Sequence, residues 1–163
     1  MKEKILLTRQ FCELIDKGSQ ILAALCRLSE QEKAAIEQID AAALQSCVGE
    51  KQKQLELLAE NTLQRNEALV GLGFSADDKG LEQLQASLPP AIANQVDSRW
   101  QQLRRSLEQA AELNQRNEQI VQRSQHNLGH LISILQGHSG RSTIYNDAGY
   151  KGNYSAQNRL GKA

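Results

Sequence analysis

Apolar residues recur along the start of the chain at alternating intervals of four and three: Leu7, Phe11, Leu14, Gly18, Ile21, Leu25 and Leu28. This 3.5-residue average puts them on one helix face and is the period of a coiled-coil seam. Gly18 falls on the seam, where it costs helix stability, so the position predicts a tight crossing by another helix. Ser29-Glu30-Gln31-Glu32 has the S-x-x-E form of a capping box. It predicts a break near residue 29 and a short second helix reaching Ile39. Asp40 then caps a third helix. Its seam runs through Ala41, Leu44, Val48, Lys51, Leu55, Leu58, Thr62, Arg65, Leu69 and Leu72. Gly71 and Gly73 end it, as glycines past a helix C-terminus do. Ser75 to Asp78 offers a further cap, ahead of the short apolar pair Leu81 and Leu84.

Pro89-Pro90 opens the longest element, because proline is accepted in a first helical turn whose N–H groups have no helical partner. The seam there is Val96, Trp100, Leu103, Leu107, Ala110, Asn114, Asn117, Val121, Ser124, Leu128, Leu131 and Leu135, and Gly137 stops it. About 47 residues at 1.5 Å each make a rod of roughly 70 Å, and the other long helices, about 25 and 32 residues, match only part of it. The expected fold is all-α. It is an elongated antiparallel helical bundle with coiled-coil packing, a long C-terminal helix and a flexible tail. The expected organisation is a helical domain over 1–137 and a glycine-rich C-terminal tail over 138–163.

The final helix changes character along its length. Its seam is apolar from Val96 to Ala110, then carries Asn114, Asn117 and Ser124. Polar seam residues cost stability unless paired, and they often set register or partner. Two readings follow: the asparagines bond within the bundle, or this stretch faces another molecule. Beyond Asn117 an apolar face returns with Ile120, Val121, Leu128, Leu131, Ile132, Ile134 and Leu135, opposite Gln119, Gln122, Arg123, Gln125, Asn127 and His130. Too little chain follows to cover it, so it is expected to meet the first helix, a second copy or a foreign helix.

Charge narrows the choices. Nineteen basic and nineteen acidic residues balance. From His138 onward Arg141, Lys151, Arg159 and Lys162 outweigh Asp147, giving +3 there and −3 in the rest. Neither value is the clustered basic stripe of a nucleic-acid binder. No run approaches the ~18 apolar residues of a membrane span. The opening MKEKILLTRQ has too short an apolar core for a signal peptide, so the expected location is cytoplasmic. Cys12, Cys26 and Cys47 are odd in number and form no C-x-x-C pair, as free cytosolic thiols would be.

Catalytic patterns are missing. His126 and His130 share a helix face, but two ligands make no zinc site, and no H-E-x-x-H or E-x-x-H frame is present. There is no P-loop, G-x-G-x-x-G or G-x-S-x-G. The reading is a non-enzymatic binding protein without metal or cofactor. All three tyrosines, Tyr145, Tyr150 and Tyr154, sit in a segment with almost no aliphatic residues, where they cannot serve a core.

With these parts in order, the chain resembles the FlgN family of flagellar type III export chaperones. The resemblance covers its whole length. It rests on LVGLGF (Leu69 to Phe74), the tryptophan-bearing last helix with LNQRN (Leu113 to Asn117), IVQRSQHNLGHLISILQG (Ile120 to Gly137) and the tail STIYNDAGY (Ser142 to Tyr150). The family tail motif Y-G-x-x-G appears here with Asn146 in place of its first glycine, a residue that also tolerates left-handed backbone.

The resemblance implies a cytoplasmic chaperone that binds the C-terminal helices of the flagellar hook-associated (hook-filament junction) proteins, prevents their premature assembly and delivers them to the export gate. By resemblance the cargo face is Asn117, Ile120, Val121, Ser124, Leu128, Leu131 and Leu135. Tyr145, Asn146 and Gly149 would dock on the cytoplasmic domain of the gate, which gives the tail tyrosines a use. No nucleic acid and no membrane insertion are implied, and self-association through the last helix is a further expectation. Heptads alone fit equally well with a non-catalytic coiled-coil adaptor or self-assembling scaffold.

Overall fold

A computed structural model describes residues 2–135. Four helices make up nearly all of them: α1 (Lys2–Glu37), α2 (Ala41–Gly71), α3 (Asp78–Ala86) and α4 (Pro90–Leu135). No strand occurs among the described residues. The chain divides into one compact unit ending at Gln119 and a second beginning at Ile120. The expected tail, 138–163, lies outside the described residues, as does Gly137.

The helix ends follow local chemistry. Asp40 caps α2 by accepting a hydrogen bond from Ala43 N–H at 3.0 Å. Past Gly71 the chain closes with the amide of Phe74 bonded to the Leu69 carbonyl and Gly73 at φ +88°, the left-handed conformation glycine supplies. The same bond pattern ends α1, where Asp40 N–H reaches the Ala35 carbonyl. There the left-handed residue is Ile39, at φ 56° and 90% exposed. Asp77 caps α3 by accepting from Gly80 N–H at 2.7 Å, and Ser75 donates its hydroxyl to the same carboxylate. Gly80 is obligatory, since a Cβ would stand 1.8 Å from the Ser75 carbonyl oxygen. Pro90 opens α4 as expected.

The predicted break at Ser29 does not occur. α1 runs unbroken to Glu37, and Ser29 lies mid-helix at 2% exposure. Its pattern partner Glu32 pairs with Lys51 on α2, and the Ser29 carbonyl accepts from Asn117 on α4. A capping box is a local pattern, and here both of its residues serve contacts between helices instead.

Within the first unit α2 runs antiparallel to α1, shown by Asn61 Nδ2 donating to the Leu14 carbonyl at 2.9 Å and by Lys51 pairing with Glu32. The first thirty residues of α4 run parallel to α1. Phe11 stacks on Trp100 with centroids 6.5 Å apart, Asp16 meets Arg99, and Glu30 meets Arg116. The result is an up-down-up arrangement. α3 closes the end near the start of α1, adding Leu81 and Leu84 to the core.

The core follows the expected seam in part and adds positions beside it on two helices. On α1, Phe11, Gly18, Ile21 and Leu25 are buried as expected, but Thr8, Ile15, Leu22 and Ser29 are buried where Leu7, Leu14 and Leu28 are half-buried. α1 packs between α2 and α4, so its buried stripe is wider than a two-helix seam. On α2, Cys47 and Asn61 are buried while Val48, Leu55 and Thr62 are exposed. α4 buries one position per heptad: Val96, Leu103, Ala110 and Asn117. Gly18 does mark a tight crossing, because a Cβ there would meet Asn61 Oδ1 at 2.7 Å and Leu103 Cδ1 at 3.0 Å.

Candidate functional site

Asn114 and Asn117 resolve differently from their neighbours. Asn117 is 3% exposed. Its Nδ2 donates to the Ser29 carbonyl and to Glu32 Oε2, both at 2.7 Å. Its Oδ1 accepts from Arg116 Nε and Nη2 at 3.2 and 3.1 Å. Lys51 Nζ donates to Glu32 Oε2 at 2.8 Å and to Asn114 Oδ1 at 2.9 Å. Three helices thus meet in one satisfied polar layer. Asn117, expected on the cargo face, instead spends its amide within the chain. Its amide oxygen and nitrogen each have partners, so it carries no cost of an unpaired buried group.

Glu30 receives a two-pronged ion pair from Arg116 at 2.9 and 3.2 Å. The hydrogen bond from Arg116 holds the Glu30 carboxyl below its ordinary value. Geometry of this kind, a planar fork on a carboxylate, fixes orientation as well as charge.

The α4 residues that follow, 120–135, belong to the second unit, and none of them is buried. Ile120 is half-buried. Val121, Ser124, Leu128, Leu131 and Leu135 are exposed, with Leu128 at 59% and Leu135 at 86%. Val121, Leu128 and Leu135 are heptad-spaced and share one side of the helix, which Ser124 and Leu131 join at intermediate positions. Ile132 and Ile134 widen the apolar surface. Between Glu118 and Asp147 the sequence has no acid, so the polar border of this face is Gln, Asn, Arg123 and His. An uncovered aliphatic helix face can hold another amphipathic helix through side-chain packing. Tyr145, Asn146 and Gly149 lie outside the described residues.

The thiols have environments that suit packing. Burial pushes the Cys12 and Cys26 thiols up from their ordinary value. A nucleophilic thiol needs the opposite shift. No helix among the described residues is long and apolar enough to cross a membrane.

Arg65 was legible only as a seam position. Its burial beside Trp100, with the guanidinium 5.6 Å from the ring centroid, has no local sequence signal because the partners are 35 residues apart. A protein-family model described as FlgN protein matches residues 1–152. No curated protein and no solved structure matches the chain.

Proposed function

We propose that this chain, which belongs to the FlgN family of flagellar export chaperones, holds the C-terminal helices of the hook-filament junction proteins against α4 residues 120–135 and hands them to the cytoplasmic domain of the export gate. The observation that carries this reading is the exposed aliphatic face of Val121, Leu128, Leu131 and Leu135. Amphipathic client helices would otherwise self-associate, and burying their apolar stripe on a matching face keeps them monomeric. The cargo face is Ile120, Val121, Ser124, Leu128, Leu131 and Leu135. Asn117 holds α4 to α1 through Ser29 within the first unit. Tyr145, Asn146 and Gly149 form the gate contact, with the tyrosine as a large anchor bearing a polar tip.

Co-expression of the chain with a junction protein, followed by size-exclusion chromatography, tests this reading. The expected result is a single co-eluting complex of defined stoichiometry. Separate elution, with the free chain forming a stable oligomer through residues 113–135, would mark it as a scaffold instead.

A further inference from the structure

Arg65 carries a charge for which the described residues supply no counter-charge. It is 9% exposed, on α2. Its Nε donates to Asn61 Oδ1 and its Nη2 to Thr62 Oγ1, each at 3.0 Å, and both acceptors are neutral. Among the described residues no carboxylate oxygen lies within 4.0 Å of it. Burial pushes the guanidinium below its ordinary value, as expected for an uncompensated cation. A buried cation held only by neutral acceptors and an aromatic ring is costly, and an anion at its open edge would offset that cost.

The geometry leaves a place for that completion. Guanidinium offers five N–H donors, and two are used. Among the described residues Nη1 has no acceptor, yet no buried side-chain nitrogen or oxygen there lacks one, so among them this edge is open. Around it, two long side chains of α2 reach α4: Lys51 bonds to Asn114, and Arg65 lies over Trp100. Leu107 is 52% exposed, Leu55 is exposed and Trp100 is half-buried. Lys51, the nearest cation along the α2 face, is already paired with Glu32.

We propose that Arg65, seated on the Trp100 ring, is the receptor for a single aspartate or glutamate side chain on an amphipathic helix of a partner protein that docks along the α2–α4 seam. Charge complementarity selects the anion: one guanidinium edge with two neutral neighbours suits a planar monoanion, whereas a phosphate dianion calls for further positive charge. The exposed Leu55 on α2 and Leu107 on α4 select the carrier, since an amphipathic helix brings aliphatic side chains along with its carboxylate. This surface lies on the first unit and does not rest on residues 120–135 serving as the cargo face.

The probe is sodium acetate exchanged for sodium chloride at fixed ionic strength, with inorganic phosphate as a second arm. The full chain is used, and the readout is emission from Trp100, its only tryptophan. The expected result is a saturable change in acetate, with Kd on the order of 10–100 mM for one charge-assisted pair. Arg65→Gln should lose it. Arg65→Lys, which keeps the charge but not the fork, should bind acetate at least about fivefold more weakly and decides the matter should the glutamine variant fail to fold. No saturable change in the wild type, equal curves in wild type and either variant, or saturation by phosphate alone would overturn the assignment.

Discussion

Asn117 on α4 donates to the carbonyl oxygen of Ser29 on α1 at 2.7 Å, across 88 positions of sequence. The bond is possible because α1 does not break at Ser29, and it fixes the register of α4 against α1 just before the first unit ends at Gln119. Replacing Asn117 by Leu leaves the Ser29 carbonyl and the Glu32 carboxylate short of a donor. The expected loss is about 2 kcal/mol of unfolding free energy, read as a lower urea midpoint. A higher midpoint would show that the asparagine is a burden on the fold and return it to a partner-facing role.

Acid should loosen the same layer. Arg116 lowers the Glu30 carboxyl from its ordinary 4.5 in the folded chain. A group with a depressed folded value contributes stability that is complete above the unfolded value and is lost as pH falls through the folded one. Asp77 behaves likewise, through the Ser75 hydroxyl first and then the Gly80 amide. Thermal midpoints should therefore be flat from about pH 7 to 5 and fall below about pH 4.5. Arg116→Ala should remove the Glu30 share of that slope. An unchanged slope in the variant would separate the ion pair from acid stability.

Gly18 is required by volume. A methyl group there meets Asn61 Oδ1 at 2.7 Å, and Asn61 is tied to the Leu14 carbonyl and to Arg65. Alanine gains up to ~1 kcal/mol in helix propensity. Overpacking against a tethered side chain costs more, so Gly18→Ala should destabilise by about 1–3 kcal/mol in denaturant titration. A more stable variant would mean Asn61 yields freely.

Tyr145 tests the tail as a docking segment. Tyr145→Ala should leave helicity, melting and cargo binding intact. It should weaken binding of the cargo-loaded chain to the purified gate domain by about 2 kcal/mol or more, the usual loss for a central aromatic anchor. Equal affinities would remove the tail from the mechanism.

Helix ends were readable because their chemistry is local: Asp40, Gly73 and Pro90 each act within a few residues. The buried stripe was readable to within one position. Apolar period alone cannot tell Leu14 from Ile15 when α1 is covered on two sides, nor Val48 from Cys47 when the apolar residue is the exposed one. The polar layer was not readable. Ser29 and Glu32 resemble a cap from their neighbours in sequence, and only their contacts with Asn117 and Lys51 in the fold show otherwise. The apolar face at 120–135 was legible in full as periodicity, whereas nothing in the sequence signalled that Arg65 has no counter-charge among the described residues.

The central claim is that α4 residues 120–135 grip the client helix, and the direct measurement is the affinity of a Leu128→Asp, Leu131→Asp double variant for a junction protein. Both side chains are exposed, so the variant should keep the circular dichroism and melting of the first unit. Titration against the junction protein should give a Kd raised at least about 30-fold, equivalent to the loss of one hot-spot anchor. A folded variant that binds the junction protein as tightly as the wild type would contradict the account.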